Sequence, residues 1–242
     1  MQAVQPHEIW CCGPTGISMP VTNNAREVIE GEDLSRAEYA YVKIRQAIRD
    51  GGFKPGQRMR ETELAEKFAV SRTPIREAIR RLSGEGLIED VAGRGLAVTQ
   101  FTMAQVRELY FLRGVLEGAA ASQAAQFASA SEVKAMEEII ALSRPAVDQP
   151  KETARLNVHF HRAIHEAARN QYLAAALGQL SDSLSLLPGT TFEAPGRAAV
   201  ALNEHRDIIA AIRKHDGARA EAAARAHIAK ACDTRISMMF RA

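Results

Sequence analysis

The sequence is short of the residues that would settle its class at once. Three of its 242 residues are cysteine, and two of these, Cys11 and Cys12, are adjacent. Such a pattern gives neither a disulfide framework nor the spaced pairs of a zinc knuckle, and it fits a reducing cytoplasm. No apolar run reaches the ~18 residues of a membrane span, and the N-terminus lacks the basic-then-apolar order of a signal peptide. A soluble chain with no membrane partner is expected. Net charge is only +2, so any nucleic-acid role has to come from local clustering of charge. No HExxH or paired-carboxylate motif is present, and there is neither an internal repeat nor a low-complexity block.

Apolar residues, by contrast, make up 46% of the chain, enough for two small domains or one larger one with its own core. Residues 1 to 32, with Pro6, Gly13, Pro14, Gly16 and Pro20, show no period and are read as a loose tail. From Ser35, Ala37, Tyr41, Ile44 and Ile48 recur at three or four and Gly51-Gly52 follows, predicting a helix over about 35–50. "ETELAEKF" (61–68) predicts a second helix with Leu64, Ala65 and Phe68 inward. Ser71 or Thr73 can cap a third, with Pro74 in its first turn. "LIED" and "LAVTQ", around "VAGRG", predict a small hairpin whose turn uses the positive φ open to Gly93 and Gly95. Beyond Thr102, helical periodicity and breaker residues place six helices, at about 102–128, 131–143, 151–169, 171–187, 197–214 and 217–240. The fold class expected is mainly α: a winged helix-turn-helix at 33–100, then an all-helical bundle at 101–242.

The stretch "VSRTPIREAIRRL" (70–82) carries the DNA-binding argument. Ile75, Ile79 and Leu82 can join Leu64 and Phe68 in a small core, which leaves Arg72, Arg76 and Arg80 as an outward stripe. With Arg81 there are four arginines here against one acid, Glu77. An isolated stripe of this kind is also what an ordinary solvated helix face shows. Joined to an upstream helix and a wing, it matches a recognition helix placed in the major groove. Arginine can fork onto O6 and N7 of guanine, so Arg72 and Arg76 are assigned base reading, while arginines further along, such as Arg80, meet phosphates. Thr73, at the helix start, can hold a phosphate with the free N–H groups. Arg94, between Gly93 and Gly95, is either an exposed turn residue or a minor-groove contact.

Residues 35–100, with "GQRMRETELAEKFAVSRTPIREAIRRLSGEGLIEDVAGRGLAV", resemble the N-terminal domain of GntR-family transcription regulators. In that family the start of the recognition helix and the wing contact operator DNA, which implicates Arg72, Thr73, Arg76 and the Gly93–Gly95 turn. Thr62 stands where the fatty-acid-responsive members carry a DNA-touching arginine, and Arg60 is the neighbouring substitute.

In the second half, "NVHFHRAIHEAARN" sets Asn157, His161 and His165 at steps of four on one helix face, with His159 elsewhere. His205 and His227 sit among apolar residues on later predicted helices. Taken singly, each is a core or surface histidine. Imidazoles converging from separate helices would instead suit zinc, nickel, copper or iron, with a position open to another ligand.

"FHRAI", "EHRDIIAAI" and "HDGARAEAA" with "HI" resemble the all-helical FCD effector domain of the FadR subfamily, six helices favouring its VanR-like branch. The resemblance implies a divalent transition metal, zinc or nickel foremost, held by Asn157, His161, His205 and His227. It also implies a small organic acid as effector and a homodimer on palindromic double-stranded operator DNA. Asn157 stands in place of the commoner Asp, and its amide oxygen is a neutral and weaker donor than a carboxylate. Arg113 matches a cavity-facing arginine, the alternative being an i,i+4 ion pair with Glu117, and His165 is a pocket wall or alternative ligand. The expected function is a ligand-responsive regulator, a repressor released by its effector. Two rivals stand beside it: a metal-dependent hydrolase, which would need a general base although Glu166 and Glu204, adjacent in sequence to ligand positions, point away from their neighbours' helix face, and a metal-free acyl-chain sensor.

Overall fold

The computed structural model describes residues 34–241, and the tail read at 1–32 lies outside the described residues. The first helix, α1 (Arg36–Arg49), buries Ala40, Tyr41, Ile44 and Ile48, the face its spacing predicts. α2 (Glu61–Phe68) and α3 (Arg72–Gly84) follow, α3 burying Pro74, Ile75, Ala78, Ile79 and Leu82. Ser71 takes the N-cap position of α3, although its side chain makes no cap hydrogen bond, and Thr73 lies inside the first turn. The wing is β1 (Ile88–Val91) paired antiparallel with β2 (Gly95–Val98), Ile88 opposite Val98 and Val91 opposite Gly95. Its turn is closed by the Arg94 N–H donating to the Val91 carbonyl at 2.8 Å, with Gly93 and Gly95 at φ +74° and +73°. Those angles are open to glycine without steric cost.

Among the described residues the bundle has six helices, as the breaker residues predict: α4 (Met103–Phe127), α5 (Ala130–Ser143), α6 (Pro150–Ala167), α7 (Gln171–Ser185), α8 (Arg197–Arg213) and α9 (Gly217–Arg241). Capping boxes at Thr102/Gln105 and Ser129/Glu132 start α4 and α5, and the Asn170 side chain starts α7. The two 25-residue helices, α4 and α9, lie together because α4 presents small residues. Ala120, Ala121, Ala124 and Ala125 are fully buried, and a Cβ on Gly118 would sit 2.9 Å from Arg225 Cγ. Two short 3-10 turns, Arg144–Ala146 and Thr191–Glu193, fill stretches that sequence punctuation marks only as breaks. Leu186, just after α7, packs into the same apolar cluster as Ile44, Ile75 and Leu82, so bundle and winged portion share core residues.

Candidate functional site

In the winged portion, Arg72, Thr73, Arg76, Arg80 and Arg94 are all exposed, as is Arg60, which pairs with Glu63 at 3.1 Å. The stripe is less bare than composition suggests. Glu61, the first residue of α2, receives Arg76 in a two-pronged bond (Nε to Oε1 3.0 Å, Nη2 to Oε2 2.9 Å) and Arg72 Nη2 at 3.3 Å. The bond from Arg76 draws the Glu61 carboxyl below its ordinary range despite some desolvation. Counting acids only within 70–82 misses it, because Glu61 comes from the preceding helix. Arg81, the fourth arginine of that count, is exposed but turned toward α1: it pairs with Glu38 at 2.7 Å and lies 3.5 Å over the Tyr41 ring.

The bundle brings the three spaced histidines together. His161 on α6, His205 on α8 and His227 on α9 are 6%, 4% and 3% exposed, and one ring nitrogen from each lies within 4.8 Å of the others. His205 Nε2 and His227 Nε2 are 3.3 Å apart. Two of the imidazoles have a carboxylate behind them. His227 Nδ1 donates to Glu204 Oε2 at 2.7 Å, and His161 Nδ1 donates to Glu117 Oε2 at 3.0 Å. A carboxylate at Nδ1 fixes the tautomer and leaves the Nε2 lone pair for something else.

The electrostatics agree. Burial pushes all three histidines below their ordinary range, His205 furthest and His227 to about 4, against the pull of Glu204 on His227 and of Glu117 on His161. They are therefore neutral, as ligating imidazoles must be. Glu117 stays ionised: burial alone would raise its pKa, but His161, His165 and Arg113 outweigh it and hold the group well below the carboxylate range. Burial likewise works against Glu204, yet the bonds from His227 and Arg197 bring it down to about 2.

Among the buried side-chain atoms without a hydrogen-bond partner are His161 Nε2, in this cluster, and Asn157 Oδ1, one helical turn before it on α6. An unpaired buried acceptor is costly, and here both are donors of the kind a metal accepts. The residues present thus fit a divalent transition metal: three neutral imidazole nitrogens and one amide oxygen.

Beside the cluster lies a cavity of about 420 Å³, whose lining includes Arg113, Glu117, Asn157, His161 and His165. His165 Nε2 donates to Glu117 Oε2 at 2.9 Å. Arg113 Nε approaches Glu117 Oε1 at 3.4 Å, so the i,i+4 pair forms, but its carboxylate is buried and the pair faces the cavity. A surface groove of about 530 Å³ between α5 and α8 holds none of these histidines.

Two carboxylates around the histidine cluster escape sequence reasoning. Glu117 reads only as a partner for Arg113, yet it joins two histidines of α6. Glu204 reads as pointing away, next to His205 in the chain, yet it is buried between α8 and α9 with Arg197 Nη2 at 2.8 Å and Lys230 Nζ at 3.2 Å. With Glu204 committed to His227 and Arg197, and Glu166 exposed and paired with Arg162 at 2.8 Å, neither is a free base at the cluster.

Comparison with known proteins agrees with this architecture. Residues 36–98 match the family described as "Bacterial regulatory proteins, gntR family", and residues 108–230 match the FCD domain. The HTH-type transcriptional regulator YdhC of Bacillus subtilis (strain 168) is 31% identical over 196 residues, covering 80% of this chain and 88% of that protein. The HTH-type transcriptional repressor RspR of Escherichia coli (strain K12) is 30% identical over 176 residues, covering 72% and 77%. Among solved structures, E. coli McbR/YncC shares the fold with TM-score 0.66 at 20% identity, covering 86% of this chain and 98% of that one. A putative GntR regulator from Rhodococcus sp. RHA1 does so with TM-score 0.67 at 22% identity, covering 84% and 99%.

Proposed function

Since the chain belongs to the GntR family of bacterial transcription regulators and carries the FCD domain, and is not an enzyme, we propose that it is a metal-dependent sensor of a small organic acid that controls its own grip on operator DNA. Residues 33–100 form the reading head and 101–242 the sensing bundle. Arg72 and Arg76 read bases once DNA replaces Glu61 as their partner, Arg80 and Arg60 meet phosphates, Thr73 holds a phosphate at the start of α3, and Arg94 between Gly93 and Gly95 reaches a minor groove. A homodimer presents two such heads to a palindrome of double-stranded DNA. The cytoplasm is its compartment; no helix among the described residues is long and apolar enough to cross a membrane. The six helices of the bundle favour the VanR-like branch of the FadR subfamily.

The observation that carries the sensing half is the convergence of His161, His205 and His227 with Glu117 and Glu204 behind them. Asn157, His161, His205 and His227 would hold zinc or nickel, and the bound ion would supply Lewis-acid attraction for a carboxylate oxygen. Its four protein donors are all neutral, so the ion's two charges are uncompensated among them and an anion is favoured as a further ligand. Arg113 and His165 line the cavity that would receive it. An effector favours whichever arrangement of the heads binds it better, and operator affinity falls by that difference. Repression is the sense suggested by the name of the repressor RspR, and its relief by effector is the sign we adopt.

Elemental analysis of protein purified without a histidine tag tests the reading. One divalent transition metal per chain is expected, with loss of it in His205→Ala, His227→Ala. Unchanged stoichiometry in that variant rules these residues out as ligands. In the same preparation, a shift assay on a palindromic operator should weaken steeply as salt rises.

A further inference from the structure

One wall of the cavity comes from the winged portion. Arg45 and Arg49 of α1 line it together with Arg113, Asn157 and His161. Both guanidiniums converge on a single carboxylate, Asp182 of α7. Arg45 donates to Asp182 Oδ2 through Nη2 and, at 3.1 Å, through Nε, while Arg49 Nη1 stands 3.4 Å from Oδ1. Asp182 is 5% exposed, and its Oδ1 is buried without a hydrogen bond.

The charges lining the cavity are not evenly matched. Arg162 is taken by Glu166, and Glu117 by Arg113, His161 and His165. What is left is two arginines sharing one aspartate, an excess positive charge at the end built from α1. A carboxylate bound near Asn157 and His161 would leave that excess unanswered. A second carboxylate on the same molecule would answer it, with bidentate geometry suited to guanidinium.

We propose that the effector is a small dicarboxylate, one carboxylate directed to the metal end and the other to Arg45 and Arg49, where it draws one of the two guanidiniums from Asp182 and loosens the clasp between α1 and the bundle. This rests on the effector-site reading above and deepens it. The clasp gives that site a mechanical link to DNA binding, because α1 packs through Ile44 and Ile48 against Ile75, Ile79 and Leu82 of the recognition helix. Asp182 holds both guanidiniums when no ligand is bound and shares them with the ligand when one is, so ligand-free and ligand-bound heads differ in what holds α1.

The test uses the metal-loaded full-length chain, with metal content checked after each titration. Calorimetry compares malonate, succinate and glutarate with the monocarboxylates of equal carbon number, propionate, butyrate and valerate. At least one dicarboxylate should bind about tenfold more tightly than its counterpart, the size expected of one added charge-assisted pair. Arg45→Gln with Arg49→Gln should erase that preference and leave monocarboxylate affinity within about twofold, the metal end being untouched. Amide exchange in α1 should quicken when the preferred dicarboxylate binds to the wild-type chain, and Asp182→Asn should show the quickened exchange without ligand. Binding of monocarboxylates with no dicarboxylate preference overturns this inference and spares the effector site. A preference that survives in the double arginine variant overturns it as well, as does unchanged exchange in Asp182→Asn. Failure of every acid in both series sinks the effector-site reading and this one with it.

Discussion

Replacing Glu204 by Gln isolates what the carboxylate behind His227 contributes. The side chain keeps its shape and an acceptor oxygen, so His227 Nδ1 can still donate across 2.7 Å, but the negative charge is gone. A carboxylate partner raises the basicity of a ligating imidazole and fixes its ring, and removing one costs about 10- to 100-fold in metal affinity, or about 1.4–2.8 kcal/mol. A second loss accompanies it. Arg197, 7% exposed, has Glu204 as its counter-charge at 2.8 Å, and breaking a buried pair from one side costs about 3–5 kcal/mol of folding stability. The two losses separate by measurement. Chelator competition gives the metal dissociation constant, and thermal melting of metal-free protein gives the folding cost. Adding Arg197→Gln to Glu204→Gln removes the orphaned charge, so much of the apo stability returns while metal affinity stays low. Equal metal affinity in wild type and Glu204→Gln would refute the orienting role, whatever the melting curves show.

Other expectations follow from the same geometry. Arg76→Ala should flatten sequence preference by about tenfold or more in a shift assay with competitor DNA, the fold remaining intact because the side chain is half exposed; preserved discrimination would move base reading elsewhere. Asn157→Asp should tighten metal binding in the same chelator competition, since a carboxylate replaces a neutral amide oxygen; an unchanged constant would place Asn157 outside the metal's reach. Metal-free protein should lose stability as pH falls from about 6.5 toward 4. His205 and His227 are held neutral in the fold, below their unfolded pKa, so the unfolded chain takes up protons first and gains as pH drops. A melting temperature flat across that window would show that these rings are not buried as described.

What the sequence makes legible here is periodic. Ile44, Ile48, Ile75, Ile79 and Leu82 recur at helical spacing, and burial follows. Pro145, Pro150, Asn170, Gly196 and Gly217 stop or start helices by backbone chemistry that acts locally, so six bundle helices appear within a residue or two of their expected bounds. The stacking of Asn157, His161 and His165 on α6 is legible for the same reason. Convergence with His205 and His227 is of another kind: period says which residues share a face, never which faces meet. That is why Glu61, Glu117, Asp182 and Glu204 are invisible as a group. Each is a carboxylate with ordinary neighbours in the chain, and each draws its meaning from a cation or imidazole on a different helix.

The resemblance to a known family closes part of that gap, and it is instructive which part. It carries over ligand positions residue by residue, which is how His161, His205 and His227 can be grouped before any coordinates. It does not carry the residues that hold those ligands in place, since their identity depends on how these particular helices pack. Glu204 shows the difference: one residue before His205 in the chain, it bonds not to that histidine but to His227, 23 residues on, because the packing of α9 on α8 lays His227 beside it. A reading confined to one helix at a time assigns Glu204 to the wrong histidine or to none, and the metal affinity of Glu204→Gln is where that distinction becomes a number.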